Sequence, residues 1–297
     1  MKRYQNVLIL SVVWAFYYVA AGVCNKSLSS FVTGSCIRIL TFVLLTVSMG
    51  TQGTLKDLKK VSGVWPKLLL VGCFGFLLDI TAFIGLRYSS SAIGTALLKT
   101  DVLMVNFASM FLFGMRFSKR DWLLTGTTLA GVVVLLKINP FSANVVPTDI
   151  FFLLSAGFVT ANALLIKHIQ TRHNVSDYVI AYYNNLVTML WFLLATVISG
   201  AGRTAVGAIA DGGLGLWLVL GGIGQFFIYH FYYRSLRALP VWIVKVILLL
   251  IPLFSMVAEW LLFGQRIDGQ QMLGGGIVIA SAAFLILEQQ RKEAVKQ

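Results

Sequence analysis

Apolar residues run through this chain in ten stretches, each closed by a short joint of polar, glycine or proline residues. The stretches cover approximately residues 6–23, 31–49, 67–86, 89–113, 121–137, 149–169, 178–198, 214–236, 241–263 and 269–287. A helix needs about 20 such residues to cross the apolar core of a bilayer. Gly50 and Gly53, Pro66, Pro140, Pro147, Gly200, Gly213 and Pro240 punctuate the joints. The pattern predicts an all-α membrane protein with ten transmembrane helices and no segment left to form a soluble domain.

Part of that pattern occurs twice. Sliding the sequence by 150 without a gap lays Leu86–Arg87 on Leu236–Arg237, and Leu112-Phe113-Gly114 on Leu262-Phe263-Gly264. The match continues through the polar turn to Arg116 and Arg266, then to Gly126 on Gly276 and Leu135 on Leu285. Each copy is two apolar segments joined by a short basic turn, a membrane hairpin. The copies are spans four and five and spans nine and ten, so the shift is five helices. An odd shift turns the second copy upside down in the membrane. The chain therefore divides into two inverted five-helix repeats, 1–140 and 147–290.

Composition agrees: 58% of residues are hydrophobic and 12% charged, against about 25% charged in soluble domains. The net charge of +13 would suggest nucleic acid in a soluble protein, but here the basic residues sit in the joints. With the N-terminus inside, sixteen of the 24 lysines and arginines fall in cytoplasmic segments and five on the opposite side. Arg38, Lys99 and Lys245 remain within spans. This asymmetry predicts both termini in the cytoplasm, and a multi-pass protein of a cell membrane such as the bacterial inner membrane. The basic start followed by an apolar run mimics a signal peptide, but the run is long enough to be a retained first helix. Cys24, Cys36 and Cys73 have no metal-like spacing and read as packing residues. His168, His173 and His230 lack ligand spacing, and no phosphate loop or catalytic triad is recognisable. No enzyme and no cofactor is implied.

Three features together resemble the EamA branch of the drug/metabolite transporter superfamily. They are the five-plus-five repeat, a first helix reading Val12-Val13-Trp14-Ala15 with Arg38 in the second, and Trp260-Leu261-Leu262-Phe263-Gly264 leading into Gly274-Gly275-Gly276. Where the family often has Glu after the Phe-Gly of that turn, this chain has Met115 and Gln265. The resemblance implies a proton-linked or exchange-type carrier of amino acids, other small metabolites or sugar phosphates. It also implies a cavity built by helices one, three, four, six, eight and nine.

Ionisable groups at bilayer depth are costly and mark candidate sites. Arg38 and Asp79 lie at similar depth, so a salt bridge between them is possible, and Asp79 is a candidate to take up a coupling proton. Lys99 and Asp101 fall about 200° apart if span four is one continuous helix. Lys99 then faces the cavity with Thr95 and Asn106, while Asp101 faces a neighbouring helix and a basic partner there. In span nine Lys245, Pro252, Met256 and Glu259 share a face, and Pro252 kinks the helix. Lys245 either contacts substrate or snorkels to the cytoplasmic surface; Glu259 is a second proton-coupling candidate or an interfacial residue. Trp14, Tyr18, Phe83, Asn162, Gln225 and His230 form a candidate wall for a flat or cationic group, with a proton relay the alternative for His230. Tyr178, Tyr229, Tyr232 and Tyr233 read as an interfacial belt.

The function these residues support is a secondary carrier of a small polar or amphipathic metabolite such as an amino acid. It would work outward by alternating access, with a proton or an exchanged counter-substrate. An exchanger of phosphorylated or other anionic metabolites is the alternative within transport; a non-transporting membrane accessory subunit is the one outside it.

Overall fold

In the computed structural model, residues 2–61, 63–88, 97–138, 147, 150–202, 205, 207, 209 and 213–294 are described. Among them there is no strand. The helices are α1 (Lys2–Ser27), α2 (Ser30–Thr51), α3 (Trp65–Tyr88), α4 (Asp101–Phe113), α5 (Lys119–Leu135), α6 (Ile150–Arg172), α7 (Asp177–Ile198), α8 (Leu214–Ala238), α9 (Val241–Ile247), α10 (Ile251–Phe263) and α11 (Gly269–Ala294). A 3-10 turn, Leu248–Leu250, joins α9 to α10. Among the described residues, eight spans are long and apolar enough to cross a membrane, counting α9 to α10 as one, and Asp101–Leu112 is a shorter apolar helix.

The repeat is legible to the residue. Shifted by 150, the bounds of α4 become those of α10, and the first residue of α5 becomes that of α11. Both hairpins end their first helix on a left-handed glycine, Gly114 at φ 61° and Gly264 at φ 67°, a conformation that L side chains rarely adopt. Both open the next helix with reciprocal capping bonds, made by different residues. Ser118 Oγ accepts from Asp121 N at 3.2 Å while Asp121 Oδ2 accepts from Ser118 N at 2.9 Å. At the same register Asp268 Oδ1 accepts from Gln271 N at 2.9 Å and Gln271 Oε1 from Asp268 N at 3.2 Å. Shifted by 147, α2 coincides end to end with α7. The difference between the two shifts is absorbed in the loops after these helices.

Spans four and nine are both interrupted. Lys99 and Thr100 form a turn ahead of α4, so the expectation of one continuous helix over 89–113 is corrected there, and with it the 200° separation of Lys99 from Asp101. Thr95, grouped with Lys99 on that expectation, lies outside the described residues. In span nine the interruption falls at the equivalent register, 248–250, beside Pro252 near the start of α10. Proline has no N–H to donate, so the carbonyl four residues back loses its helical partner and the chain tightens into a 3-10 turn.

The packing maps onto itself when the halves are exchanged. α1 lies on α8 and α10 as α6 lies on α3 and α4; α2 crosses α8 as α7 crosses α3; and α2 and α5 pair with their own counterparts, α7 and α11. At the two equivalent crossings the details match. Thr41 Oγ1 donates to the Gly222 carbonyl at 3.1 Å, and Thr188 Oγ1 to the Gly72 carbonyl at 3.0 Å. A Cβ on Gly222 would stand 2.6 Å from Leu40, and one on Gly72 2.4 Å from Val187. Small residues allow backbones to approach this closely, and in lipid that van der Waals contact is what holds helices together.

Gly72→Ala and Gly222→Ala should each destabilise the purified protein by about 1–3 kcal/mol through overpacking. Gly157→Ala, on α6 with nothing within 4 Å of the added methyl, should leave the melting temperature unchanged or slightly raised. Equal melting of all three variants would refute the crossings as the tight points of the fold.

Candidate functional site

Where the halves cross, buried charge is gathered into two pairs. The first joins α2 to α3: Arg38 Nη2 lies 2.8 Å from Asp79 Oδ2. Arg38 Nη1 also donates to the Tyr229 hydroxyl on α8, and its guanidinium carbon stands 5.6 Å from that ring's centroid. Asn185 Nδ2 of α7 donates to the Arg38 carbonyl at 2.9 Å. Asp79 and Tyr229 occupy equivalent positions under the shift of 150, as Arg38 and Asn185 do under the shift of 147. A single arginine therefore bridges a carboxylate of one half to its counterpart in the other.

The second pair joins the halves. Lys245 Nζ on α9 lies 2.8 Å from Asp101 Oδ2 at the start of α4, with side-chain exposures of 3% and 10%. Lys245 also stands 5.7 Å from the centroid of Tyr232, close enough for a cation–π contact. Asp101 in the first turn of α4 suits the positive end of that helix. A charge this deep without a partner is strongly disfavoured, so each pair fixes the other elements around it.

Aromatic residues of α1 close the space between the pairs. Trp14 meets Tyr232 edge-on at 5.5 Å and neighbours Tyr18 at 6.3 Å. Tyr18 lies within electrostatic reach of Asp79, Asp101 and Lys245, which come from three different elements, yet it is 45% exposed. Tyr17 neighbours Arg38, Asp79 and Tyr229. Lys99 is half-buried in its turn, within reach of Asp101 and Lys245, and makes no ion pair among the described residues. The arrangement is a partly exposed lysine and an exposed tyrosine beside two neutralised pairs.

The remaining candidates scatter. Lys245 neither snorkels nor faces outward; it is held by Asp101, the basic partner expected for that aspartate. Asn162 donates to the Val71 carbonyl at 2.7 Å and clamps α6 to α3. His230 bonds Tyr178 at 2.8 Å and lines a small cleft with Asp177 and Arg234 that reaches the site only through Tyr229. Gln225 is buried on α8. The charged neighbour of half-buried Glu259 is Lys26 at the end of α1, twelve residues or about 18 Å along the helix from Trp14. The Phe83 side chain lies outside the described residues. Asn106 is fully buried on α4 with neither amide atom hydrogen-bonded.

The tyrosines require a correction. Tyr229, Tyr232 and Tyr233 are not an interfacial belt: they are 5%, 6% and 1% exposed and engage Arg38, Lys245 and Asn184. Two signals pointed inward. Their spacing puts them on one helix face, and the shift of 150 sets Tyr229 on Asp79.

A family model described as the EamA-like transporter family matches residues 2–137 and 146–287. No curated protein compared with the chain matches it. One solved structure, described only as "Crystal structure of protein", superposes with a TM-score of 0.76 at 17% identity, covering 95% of this chain and 97% of that one. At that identity the likeness establishes the fold alone.

Asp101→Asn and Lys245→Met should each cost about 3–5 kcal/mol, because each leaves a buried charge unpaired. In a thermal double-mutant cycle the double variant should recover most of the loss; additive losses would show the two groups uncoupled. Asn106→Leu should raise the melting temperature, since it removes an unpaired buried amide worth about 1–3 kcal/mol. A lower melting temperature would show that the amide is satisfied in solution.

Proposed function

Because this chain belongs to the EamA-like transporter family, a family of membrane carriers rather than enzymes, we propose that it is a secondary active carrier working by alternating access. Ten spans with both ends cytoplasmic carry a small polar or amphipathic metabolite, such as an amino acid, out across a bacterial inner membrane. The observation that supports this most is the matched interruption of spans four and nine beside the buried Lys245–Asp101 pair that joins the halves. Inverted-repeat carriers build their sites in this way, from broken helices near the midplane. The exchange-symmetric packing gives each half a partner conformation to adopt in turn.

The cytoplasmic ends support one direction of access in the present state. Lys167 Nζ donates to the carbonyls of Leu236, Arg237 and Leu239 at 2.5, 3.2 and 3.2 Å. Arg237 Nε pairs with Asp177 at 2.7 Å. These bonds stitch α6, α7 and α8 together on the side that the loop charges assign to the cytoplasm.

Trp14, Tyr18 and Lys99 contact substrate, and Asn106 serves it once the helices move. Asp79 is the proton-coupling group: protonation removes the charge that holds Arg38, frees the guanidinium toward Tyr229, and loosens α2 from α3. Glu259, apart from this group, has no role in coupling. With Lys245 already neutralised by Asp101, one cation remains for substrate, which disfavours the phosphorylated metabolites that two free lysines would suit.

Proteoliposomes given a panel of radiolabelled amino acids and organic acids should accumulate at least one of them under an imposed pH gradient. Asp79→Asn, which leaves Arg38 without its carboxylate and so lowers the melting temperature, should cut that uptake by about a hundredfold or more at a temperature where the variant is still folded, the range of a single positioned proton-transfer group. Uptake indifferent to the gradient and equal in the variant would sink the coupling role.

A further inference from the structure

Charge accounting at the site goes one step beyond a generic metabolite and rests on the carrier reading above. Eleven residues of the chain are acidic. Two of them, Asp79 and Asp101, belong to the site, and each already holds a cation at 2.8 Å. The segment 89–96 that precedes Lys99 contains no acid. Glu259 lies far off beside Lys26. Lys99 and Lys245 therefore share one carboxylate, Asp101, whose Oδ2 is taken by Lys245. Arg38 and Asp79 cancel. The site carries one uncompensated positive charge, on the half-buried side chain of Lys99.

Tyr18 faces the same Lys245–Asp101 pair. It and Lys99 are both within electrostatic reach of Asp101 and Lys245, and Tyr18 offers an exposed ring backed by Trp14 at 6.3 Å. We infer that the ligand is a compact organic monoanion, a carboxylate with a flat apolar body, its carboxylate on Lys99 and its body on Tyr18. A monoanion brings the site to neutrality as it closes away from water. A zwitterion leaves the extra charge standing and adds an ammonium whose natural acceptors, Asp79 and Asp101, are occupied. A dianion overshoots, and a cation adds like charge; in a low-dielectric interior each imbalance is costly.

A matched probe series tests this on the purified full-length protein by calorimetric titration at neutral pH. The probes are 3-phenylpropanoate (monoanion), phenylalanine (zwitterion), phenethylammonium (cation) and benzylmalonate (dianion), which share one phenyl-ethyl body. The monoanion should bind at least about tenfold tighter than each of the others, the effect of one charge-assisted hydrogen bond. Lys99→Gln should erase that preference, Lys99→Arg should keep it, and Lys99→Glu should turn it toward phenethylammonium. Equal or tighter wild-type binding of phenylalanine, phenethylammonium or benzylmalonate overturns the inference, as does an unchanged preference in Lys99→Gln or no binding by any probe. The flux panel judges the carrier reading separately. Uptake of zwitterions or cations without a preference for monoanions leaves a carrier and removes this ligand class.

Discussion

Two helices can approach until a threonine hydroxyl reaches the other's backbone carbonyl only where no side chain stands between them. That constraint is met twice, at Gly72 and Gly222, and the rest of the molecule follows from it. Lipid offers no hydrophobic drive to bring apolar helices together, so contact has to come from close backbone approach and from polar groups that need each other. The two crossings set α2 against α8 and α3 against α7, and so bring Arg38, Asp79 and Tyr229 from three helices into one cluster. A methyl on either glycine would meet Val187 or Leu40 at well under van der Waals distance and push the crossing apart.

Charge then does a second job. A buried ion pair contributes little net stability, because desolvation offsets much of the attraction. Its effect is on specificity: the unpaired alternative is so poor that arrangements separating Arg38 from Asp79, or Lys245 from Asp101, are disfavoured. The first pair lies within one half and the second between the halves. Any displacement of one half against the other therefore bears on the second pair and leaves the first within its own half. The interruptions ahead of α4 and between α9 and α10 put a turn and a 3-10 segment close in sequence to that second pair.

Much of this architecture was legible in the sequence, because the repeat preserves apolar length and turn chemistry. Gly114 and Gly264 sit in the same left-handed turn, and the shift of 150 carries the bounds of α4 onto those of α10. The site was legible in its charges but not in its aromatics. Asp101 and Lys245 stood out because ionised groups are rare at depth, and the pairing of Arg38 with Asp79 followed from equal depth. Tyr229 and Tyr232 did not, because distance from a helix end says nothing of which face a residue takes. Asn162 failed for a related reason: a polar side chain within a span serves a neighbouring backbone carbonyl as readily as a ligand. Lys99 was assigned through helix geometry across a segment that turns at that residue, so the angular argument did not apply even though the residue reaches the site.

The two ion pairs also differ in when the growing chain can make them. Asp79 follows Arg38 by 41 residues, a delay of about 2–8 s at ordinary rates of synthesis, so this pair can form while the first half is being inserted. Lys245 follows Asp101 by 144 residues, about 7–30 s later, and through that interval the carboxylate sits in the membrane without its final partner. Lys99, two residues away, is the cation at hand. This lysine, without an ion pair among the described residues, is thus also the cation nearest to Asp101 in sequence until α9 has been made.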